Sequence, residues 1–255
     1  MNVFRRLVFT AVLAGLLTGG LISLAHHFGT ASIIARAEVF EKATGGAAAS
    51  HSHATADAAP HQHAAAAGWE PQDGIERTAY TVLANVTTAI AFSLLLVAAF
   101  ELRGGDVTWR TGLLWGLAGF VVFTLAPGLG LPPELPGTAA APVAARKLWW
   151  LLTATATATA TGLGLLLLQR RPALILAGVV LLAAPHVYGA PQPSKYGSTA
   201  PEELAYQFRV VAMVTSFVFW TLLGAAAGYF HALGSHPSPE PRMPGAASPR
   251  RGTSA

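Results

Sequence analysis

The chain contains no cysteine among its 255 residues. This absence excludes structural disulfides, iron–sulfur clusters, thiolate metal sites and cysteine nucleophiles. Charged residues are also scarce, at 11% of the chain, against about 25% in an average soluble domain. Because 53% of the residues are hydrophobic and the mean hydropathy is +0.47, the composition excludes both an ordinary soluble domain and a disordered chain.

Motifs of the common enzyme classes are missing as well. The sequence holds no G-x-x-x-x-G-K-[ST], no G-x-S-x-G, no H-E-x-x-H and nothing that resembles a catalytic triad. The net charge of +4 requires no nucleic-acid partner, since basic residues at the cytoplasmic ends of spanning helices give the same value. We therefore predict a protein that is not an enzyme and does not bind nucleic acid.

Six long apolar runs are present instead, and none of them contains Asp, Glu, Lys or Arg. Four reach about 20 residues, enough for a helix to cross a hydrocarbon core of about 30 Å. The first run is slightly shorter, and the fifth is short for a full span. The sequence thus predicts an all-α membrane bundle of about six transmembrane helices. The runs are 7–24, 80–100, 112–131, 148–168, 173–187 and 210–230.

Two stretches are expected to lie outside the bilayer. Residues 42–68 are rich in Ala, Gly, Ser and His without periodicity, which is typical of an extracytoplasmic loop. Residues 234–255 are rich in Pro, Ser, Gly and Arg, which is typical of a disordered tail. The predicted organisation is a helix bundle over residues 1–233, which carries a His-rich loop at 42–68, followed by a cytoplasmic tail at 234–255.

The basic residues predict that both termini are cytoplasmic. Arg103 and Arg110 flank one tight turn and Arg170 and Arg171 occupy another, and short loops are where the positive-inside rule is strongest. With this orientation the outer face is acidic, which concentrates cations there. An alternative for the first run, which begins after two arginines, is a cleaved signal peptide. The topology of the later segments is the same in either case.

Four histidines form two His-x-His pairs in the predicted outer loop. His51 and His53 make one pair and His61 and His63 the other. Neutral imidazole is the commonest protein ligand for Zn, Ni, Co and Cu ions, so the pairs are candidate metal ligands. The competing interpretation is compositional drift in an Ala-rich loop.

Three further histidines are predicted at the same outer face. His26 and His27 follow the first run, and His186 lies directly after Pro185 near the end of the fifth. Each is a candidate metal ligand, although an interfacial histidine with its polar tip in the headgroups is the alternative.

The third and fifth runs are both interrupted by proline at the predicted outer face. Pro127 and Pro185 should break their helices and leave carbonyl groups unpaired. Broken helices at corresponding positions are the best sequence indication of a transporter's binding site. Glu134, which follows the first of these breaks, is a candidate oxygen ligand for a cation. The alternative is that each proline merely ends a helix at the surface.

These features together resemble the CbtA family of predicted bacterial cobalt transporter subunits. The similarity extends from residue 4 to residue 228 and includes the His-rich loop. Its other marks are Trp-Glu-Pro-Gln-Asp-Gly-Ile-Glu-Arg at 69–77, Gly-Leu-Leu-Trp-Gly-Leu-Ala-Gly-Phe at 112–120, Gly-Leu-Pro-Pro-Glu-Leu-Pro-Gly at 130–137, and Pro-His at 185–186 with Gly-Ala-Pro-Gln-Pro at 189–193.

The resemblance implies a multi-pass protein of the bacterial cytoplasmic membrane that takes up cobalt for cobalamin synthesis. It further implies a small His-bearing membrane partner similar to CbtB. The metal would be cargo, and no permanently bound cofactor is expected. Two other functions remain open from the residues alone. One is a membrane haem protein with His26 or His27 paired to His186 as axial ligands. The other is a metal-binding scaffold or sensor that does not transport.

Overall fold

A computed structural model describes residues 3–50, 71–167 and 172–235 of the chain. These residues fold into seven helices and, within the described ranges, form no β-strand, only an isolated bridge between Thr138 and Ser198. The all-α prediction is thereby confirmed. The helices are α1 (Val3–Phe28), α2 (Thr30–Ser50), α3 (Ile75–Arg103), α4 (Trp109–Gly130), α5 (Val143–Leu167), α6 (Pro172–Tyr188) and α7 (Glu202–Ser235).

Four helices, α1, α3, α4 and α7, form the central bundle. Their contacts are close because glycines face the neighbouring backbone. In α1, Gly15 and Gly19 lie against α3, where a Cβ atom at Gly19 would come within 2.6 Å of the Val86 Cα. Gly112 and Gly116 of α4 lie directly on the facing glycines of α7. Small residues four positions apart thus let the helix backbones of these pairs approach closely.

Aromatic side chains fill the centre of this bundle. Trp220 of α7 is 3% exposed and packs against Phe92 of α3 and Phe123 of α4. Towards the other end, Phe100 is 1% exposed and its ring meets Trp115 edge-on. Offset and edge-to-face aromatic pairs stabilise a core beyond their area burial.

Capping residues set the short turn between α3 and α4. Gly104 ends α3 with a positive φ of 69° and donates its N–H to the Phe100 carbonyl. Thr108 then caps α4, because its hydroxyl accepts from the Thr111 N–H while the Thr111 hydroxyl accepts from the Thr108 N–H. This reciprocal capping satisfies two N–H groups that a helix start leaves unpaired.

Helices α5 and α6 form a hairpin beside the bundle. They pack on each other; α5 contacts the second half of α4, residues 121–130, and α6 reaches it through the contact of His186 with Ala126. Trp149 of α5 is 5% exposed and lies against Gly130, where a Cβ atom would collide with its ring. The hairpin is therefore held to the bundle chiefly through the end of α4.

Helix α2 was not among the predicted elements. It starts two residues after α1 and covers residues 42–50 of the predicted loop, while residues 51–68 lie outside the described ranges. Its inner side packs Ile33 and Ala37 against Leu204 of α7, where they make a second apolar cluster. Alanine has the highest helix propensity, so the Ala-rich stretch after residue 42 extends a helix more readily than it forms a loop.

Both predicted proline breaks are displaced from the prolines. Helix α4 runs through Pro127 to Gly130, and α6 runs through Pro185 to Tyr188, so each helix ends three residues later. In α4, residues 121–125 form a π-helical turn in which Ala126 donates its N–H to the Val121 carbonyl. That wider turn accommodates the ring of Pro127 without breaking the helix.

The expected count of about six spans is not reproduced among the described residues. By length and apolar composition, four helices qualify as membrane spans: α1, α3, α4 and α7. Helix α6 contributes only a shorter apolar segment, Leu176–Tyr188. The predicted fourth and fifth spans meet at residues 168–171, which lie outside the described ranges.

Candidate functional site

The two proline-containing helix ends meet at the side chain of His186. Its Nε2 atom lies 3.0 Å from the Ala126 carbonyl oxygen of α4, and its Nδ1 atom lies 3.0 Å from the Leu182 carbonyl oxygen in its own helix. Trp149 covers this contact, because its indole N–H donates to the Pro185 carbonyl at 3.3 Å and its ring meets His186 edge-on.

This arrangement constrains what His186 can do. A neutral imidazole has a single N–H, so it cannot donate to both carbonyl groups at once. A metal ion would take the nitrogen that carries the lone pair, and the other nitrogen would keep its hydrogen bond. Such a bond fixes the tautomer and the ring orientation of a metal-binding histidine. Carbonyl oxygens and a helix C-terminus nearby also favour a cation.

Glu134 follows the end of α4 and lines a large cavity at the predicted outer face, which we call the outer cavity. Its carboxylate is paired with Arg146 of α5, with 3.0 Å between Oε2 and Nη2. The outer cavity has a volume of about 990 Å³, and Pro127 and Gly128 of α4 form part of its wall. Glu134 is thus paired with an arginine, and a cation that binds it must compete with that guanidinium group.

His26 belongs to a polar cluster between α1 and α3. The Asn85 side-chain amide donates to the His26 Nδ1 atom at 3.2 Å and to the Ser23 hydroxyl at 3.1 Å. The Ser23 hydroxyl in turn donates to the Gly19 carbonyl at 2.7 Å. Because His26 accepts at Nδ1, its proton is assigned to Nε2. His27, in contrast, is exposed and its ring contacts the neighbouring Phe28.

The structure therefore separates the predicted site residues into different environments. Among the described residues, no group of three or more His, Asp or Glu side chains is gathered as a metal site would require. No described contact joins His186 to His26 or His27, which the haem alternative would need. His51, His53, His61 and His63 lie outside the described ranges. The metal site thus stays a prediction.

A charged cleft of about 820 Å³, lined by Glu38, Glu41 and Asp73 together with Lys42 and Arg77, lies beside the outer cavity, with Pro136 in the wall of both. Arg77 of α3 is bound there to Glu38 of α2 and, at 3.0 Å, to Asp73. Glu41 also lines the cleft and has no ion pair among the described residues. The cleft is flanked by the two ends of the predicted His-rich loop, since α2 leads into that loop and residues 71–73 follow it.

A charged cluster at the opposite end of the bundle was missed in the sequence. Arg6 of α1 and the Nε2 atom of His231 in α7, the latter at 2.9 Å, both bind Oε1 of Glu101 in α3. His231 is only 7% exposed. The sequence did contain an indication of this cluster, because Glu101 is one of the few acidic residues at the predicted cytoplasmic ends of the helices. We refer to Arg6, Glu101 and His231 as the inner triad.

We predict that the inner triad stabilises the bundle by tying three helices together. Replacing Glu101 with glutamine should lower the free energy of unfolding by about 1–3 kcal/mol, as expected when a hydrogen bond to a charged group is lost. Thermal unfolding of the purified protein measures this. Asp106→Asn is the matched control, since Asp106 is exposed and has no ion pair within the described ranges. Equal unfolding temperatures for both variants would contradict the prediction.

The architecture defines the class of this protein: a multi-pass helical membrane protein, with several helices long and apolar enough to cross a bilayer. The chain belongs to the CbtA family, whose description is probable cobalt transporter subunit and whose model matches residues 4–232. Membership implies a transporter subunit with cobalt as substrate and with further subunits as partners. Among curated proteins and among solved structures, none matches this chain.

Proposed function

We propose that this chain is the membrane subunit of a transporter that takes up divalent cobalt across the bacterial cytoplasmic membrane and supplies cobalamin synthesis. The family match over residues 4–232 carries this proposal. The charged cleft supports it, because its three carboxylates outnumber its two basic side chains, and carboxylates at an outer mouth raise the local concentration of cations. A small His-bearing membrane subunit of the CbtB type is the expected partner.

The metal is proposed to enter beside the end of α4. His186 contacts this helix end at Ala126, and Glu134 lines the outer cavity, whose wall includes Pro127. Nitrogen and oxygen ligands of this kind suit Co, Ni and Zn ions. His26 and His27 at the outer end of α1 are the additional ligands in this scheme. Carbonyl groups at the two helix ends supply the negative potential.

Metal uptake by cells tests the proposal directly. Cells that express the chain together with its partner should accumulate radiolabelled cobalt faster than cells without it. Parallel assays with nickel and zinc establish the metal preference. Metal binding without accumulation inside the cell would instead identify a scaffold or sensor, and a haem spectrum of the purified protein would identify an electron-transfer protein.

We predict six spans with both termini in the cytoplasm, α5 and α6 being the two additional spans. Reporter fusions after Arg103, Arg171 and Arg251 should therefore give a cytoplasmic signal, and a fusion after His63 an external one. The reason is the placement of arginine in the short turns, where positive charge is retained on the cytoplasmic side. A cytoplasmic signal after His63 would contradict the outer metal entry.

The His-rich loop is proposed to capture metal without being essential for transport. Replacing His51, His53, His61 and His63 with alanine should reduce cobalt uptake mainly at low metal concentration, because added imidazoles raise the local metal concentration. Uptake rates measured across a range of cobalt concentrations should converge at saturation. Loss of uptake at saturating cobalt would instead make the loop the obligatory binding site.

A further inference from the structure

A second cavity lies nearer the inner triad than the outer cavity does, and it opens at one side of the bundle, where Leu95 is 57% exposed. We call it the deep cavity. Its volume is about 280 Å³, and it lies between α3, α4, α5 and α7. Its walls include Leu96, Trp115, Ala118 and Thr161. The lining is almost entirely apolar, whereas the outer cavity carries the charged side chains of Glu134, Arg146 and Lys147.

Among the described residues, Phe123 is the only one that lines both cavities. Its ring is stacked on Trp220, with 5.4 Å between ring centroids and an angle of 7° between ring planes. On the other side it is stacked on Trp150, with 6.1 Å between centroids and an angle of 29°. Trp150 lines the outer cavity and Trp220 lines the deep cavity. The three rings therefore form a wall between the two spaces.

This aromatic wall is built on the π-turn of α4. Phe123 is the middle residue of the turn at 121–125, and its neighbour Thr124 accepts a hydrogen bond from the Trp220 indole N–H at 3.2 Å. A π-turn contains one residue more than an α-helical turn, and π-turns often occur at functional sites. A return to α-helical hydrogen bonding turns side chains by about 100° around the helix axis, which would move the Phe123 ring out of the wall.

Packed aromatic rings connect the wall of the deep cavity with the inner triad. Trp115, in the cavity wall, meets Phe100 edge-on with 5.9 Å between centroids. Phe100 in turn meets the ring of His231 with 5.7 Å between centroids. Outer cavity, aromatic wall, deep cavity and inner triad thus follow one another along α4 from its end to its start.

We propose that Phe123 is the gate of the transport path and that the structure shows it closed. This inference rests on the proposed transport function. A cavity of 280 Å³ has room for several waters of about 30 Å³ each. A hydrated ion enters such a space together with its water, so the ion can enter only where water can. An apolar constriction that excludes water also excludes ions, which is how hydrophobic gates work. The Phe123 ring supplies this constriction between a charged cavity and an apolar one.

Because the chain has no native cysteine, labelling of single introduced cysteines tests the gate. Ala118→Cys reports on the deep cavity and Ala140→Cys on the outer cavity. Leu125→Cys reports on a position that lines neither cavity and is exposed on the apolar surface of the spanning helix α4, where lipid is expected to keep the reagent away. Spheroplasts are treated from outside with a membrane-impermeant methanethiosulfonate, which reacts with thiolates in water. With Phe123 present, only the cysteine at position 140 should react.

Opening the gate should expose the deep cavity. In the Phe123→Ala background, the cysteine at position 118 should react at least tenfold faster, and the cysteine at position 125 should stay unreactive. Phe217→Ala is the matched control, since this ring is exposed and lines neither cavity. It should leave the cysteine at position 118 protected. Phe123→Leu, a milder change for the case of poor folding, should give an intermediate rate.

Equal reaction rates at position 118 with and without the Phe123 ring would overturn the proposal that Phe123 is the gate. The proposal would also be overturned if Phe217→Ala raised this rate as much as Phe123→Ala does. The labelling needs no cargo, so it is independent of the transport function itself. Cobalt uptake by the same cells is the second measurement. Failure of the unsubstituted chain to take up cobalt would count against the proposed function, whereas the labelling rates would still decide the gate.

Discussion

Replacing His186 with alanine is expected to abolish cobalt uptake at every metal concentration while the protein stays in the membrane at normal abundance. His186 is the side chain that contacts both proline-containing helix ends, through the Ala126 and Leu182 carbonyls. The loss should exceed the about 10–100-fold decrease typical of removing an outer-shell partner, because a ligand itself is lost. Radiolabelled cobalt uptake against concentration, with membrane abundance in parallel, measures it.

Two further substitutions separate metal binding from helix tethering. Tyr188→Ala removes an exposed side chain at the same helix end and should leave uptake unchanged. His186→Asn keeps a donor for the Ala126 carbonyl but replaces imidazole with a poor ligand for these ions. We expect the asparagine variant to be as inactive as the alanine variant. Recovery of uptake with asparagine would show that His186 tethers α4 to α6 and does not bind metal.

Replacing Gly116 with valine should prevent the protein from accumulating in the membrane. A Cβ atom at this position would collide with the Trp220 carbonyl oxygen and lie 3.0 Å from the Gly224 Cα. The cost should exceed the about 1–3 kcal/mol of ordinary overpacking, because backbone cannot move aside as a side chain can. Immunodetection of the membrane fraction and thermal unfolding of the purified variant measure the effect.

Gly20→Val is the matched control for this experiment. Gly20 is also a helical glycine, but nothing lies within 4 Å of the position that a Cβ atom would take. The change therefore adds the same β-branched side chain to a helix without a collision, and the protein should accumulate normally. If both valine variants reached the same abundance, the close contact between α4 and α7 would not be required for folding.

The prediction of membrane spans from the sequence was correct for four of the six apolar runs, whose length and composition are enough to require a helix. An apolar run of about 20 residues must form a helix in a bilayer, because no water is present to pair its backbone groups. The apolar runs at 7–24, 80–100, 112–131 and 210–230 accordingly lie in helices α1, α3, α4 and α7. Their ends were less accurate, as α7 starts at Glu202 and continues to Ser235.

The proline positions show where local rules stop being sufficient. Proline removes one N–H and its ring collides with a preceding carbonyl, so a break was expected at each site. The π-turn before Pro127 relieves that collision, and its residue Phe123 packs against Trp150 and Trp220. No local sequence rule signals a π-turn, which is why the aromatic wall at Phe123 was not anticipated.

The sequence by itself determined the environment of this chain, its helical class and its family, because hydrophobic length and long motifs are local properties. Only the tertiary structure decided which polar side chains meet. It placed His186 on the Ala126 carbonyl, paired Glu134 with Arg146, and brought His231 to Glu101 from 130 residues away. Such contacts depend on how helices pack around glycines and aromatic rings, and that geometry involves residues far apart in the chain.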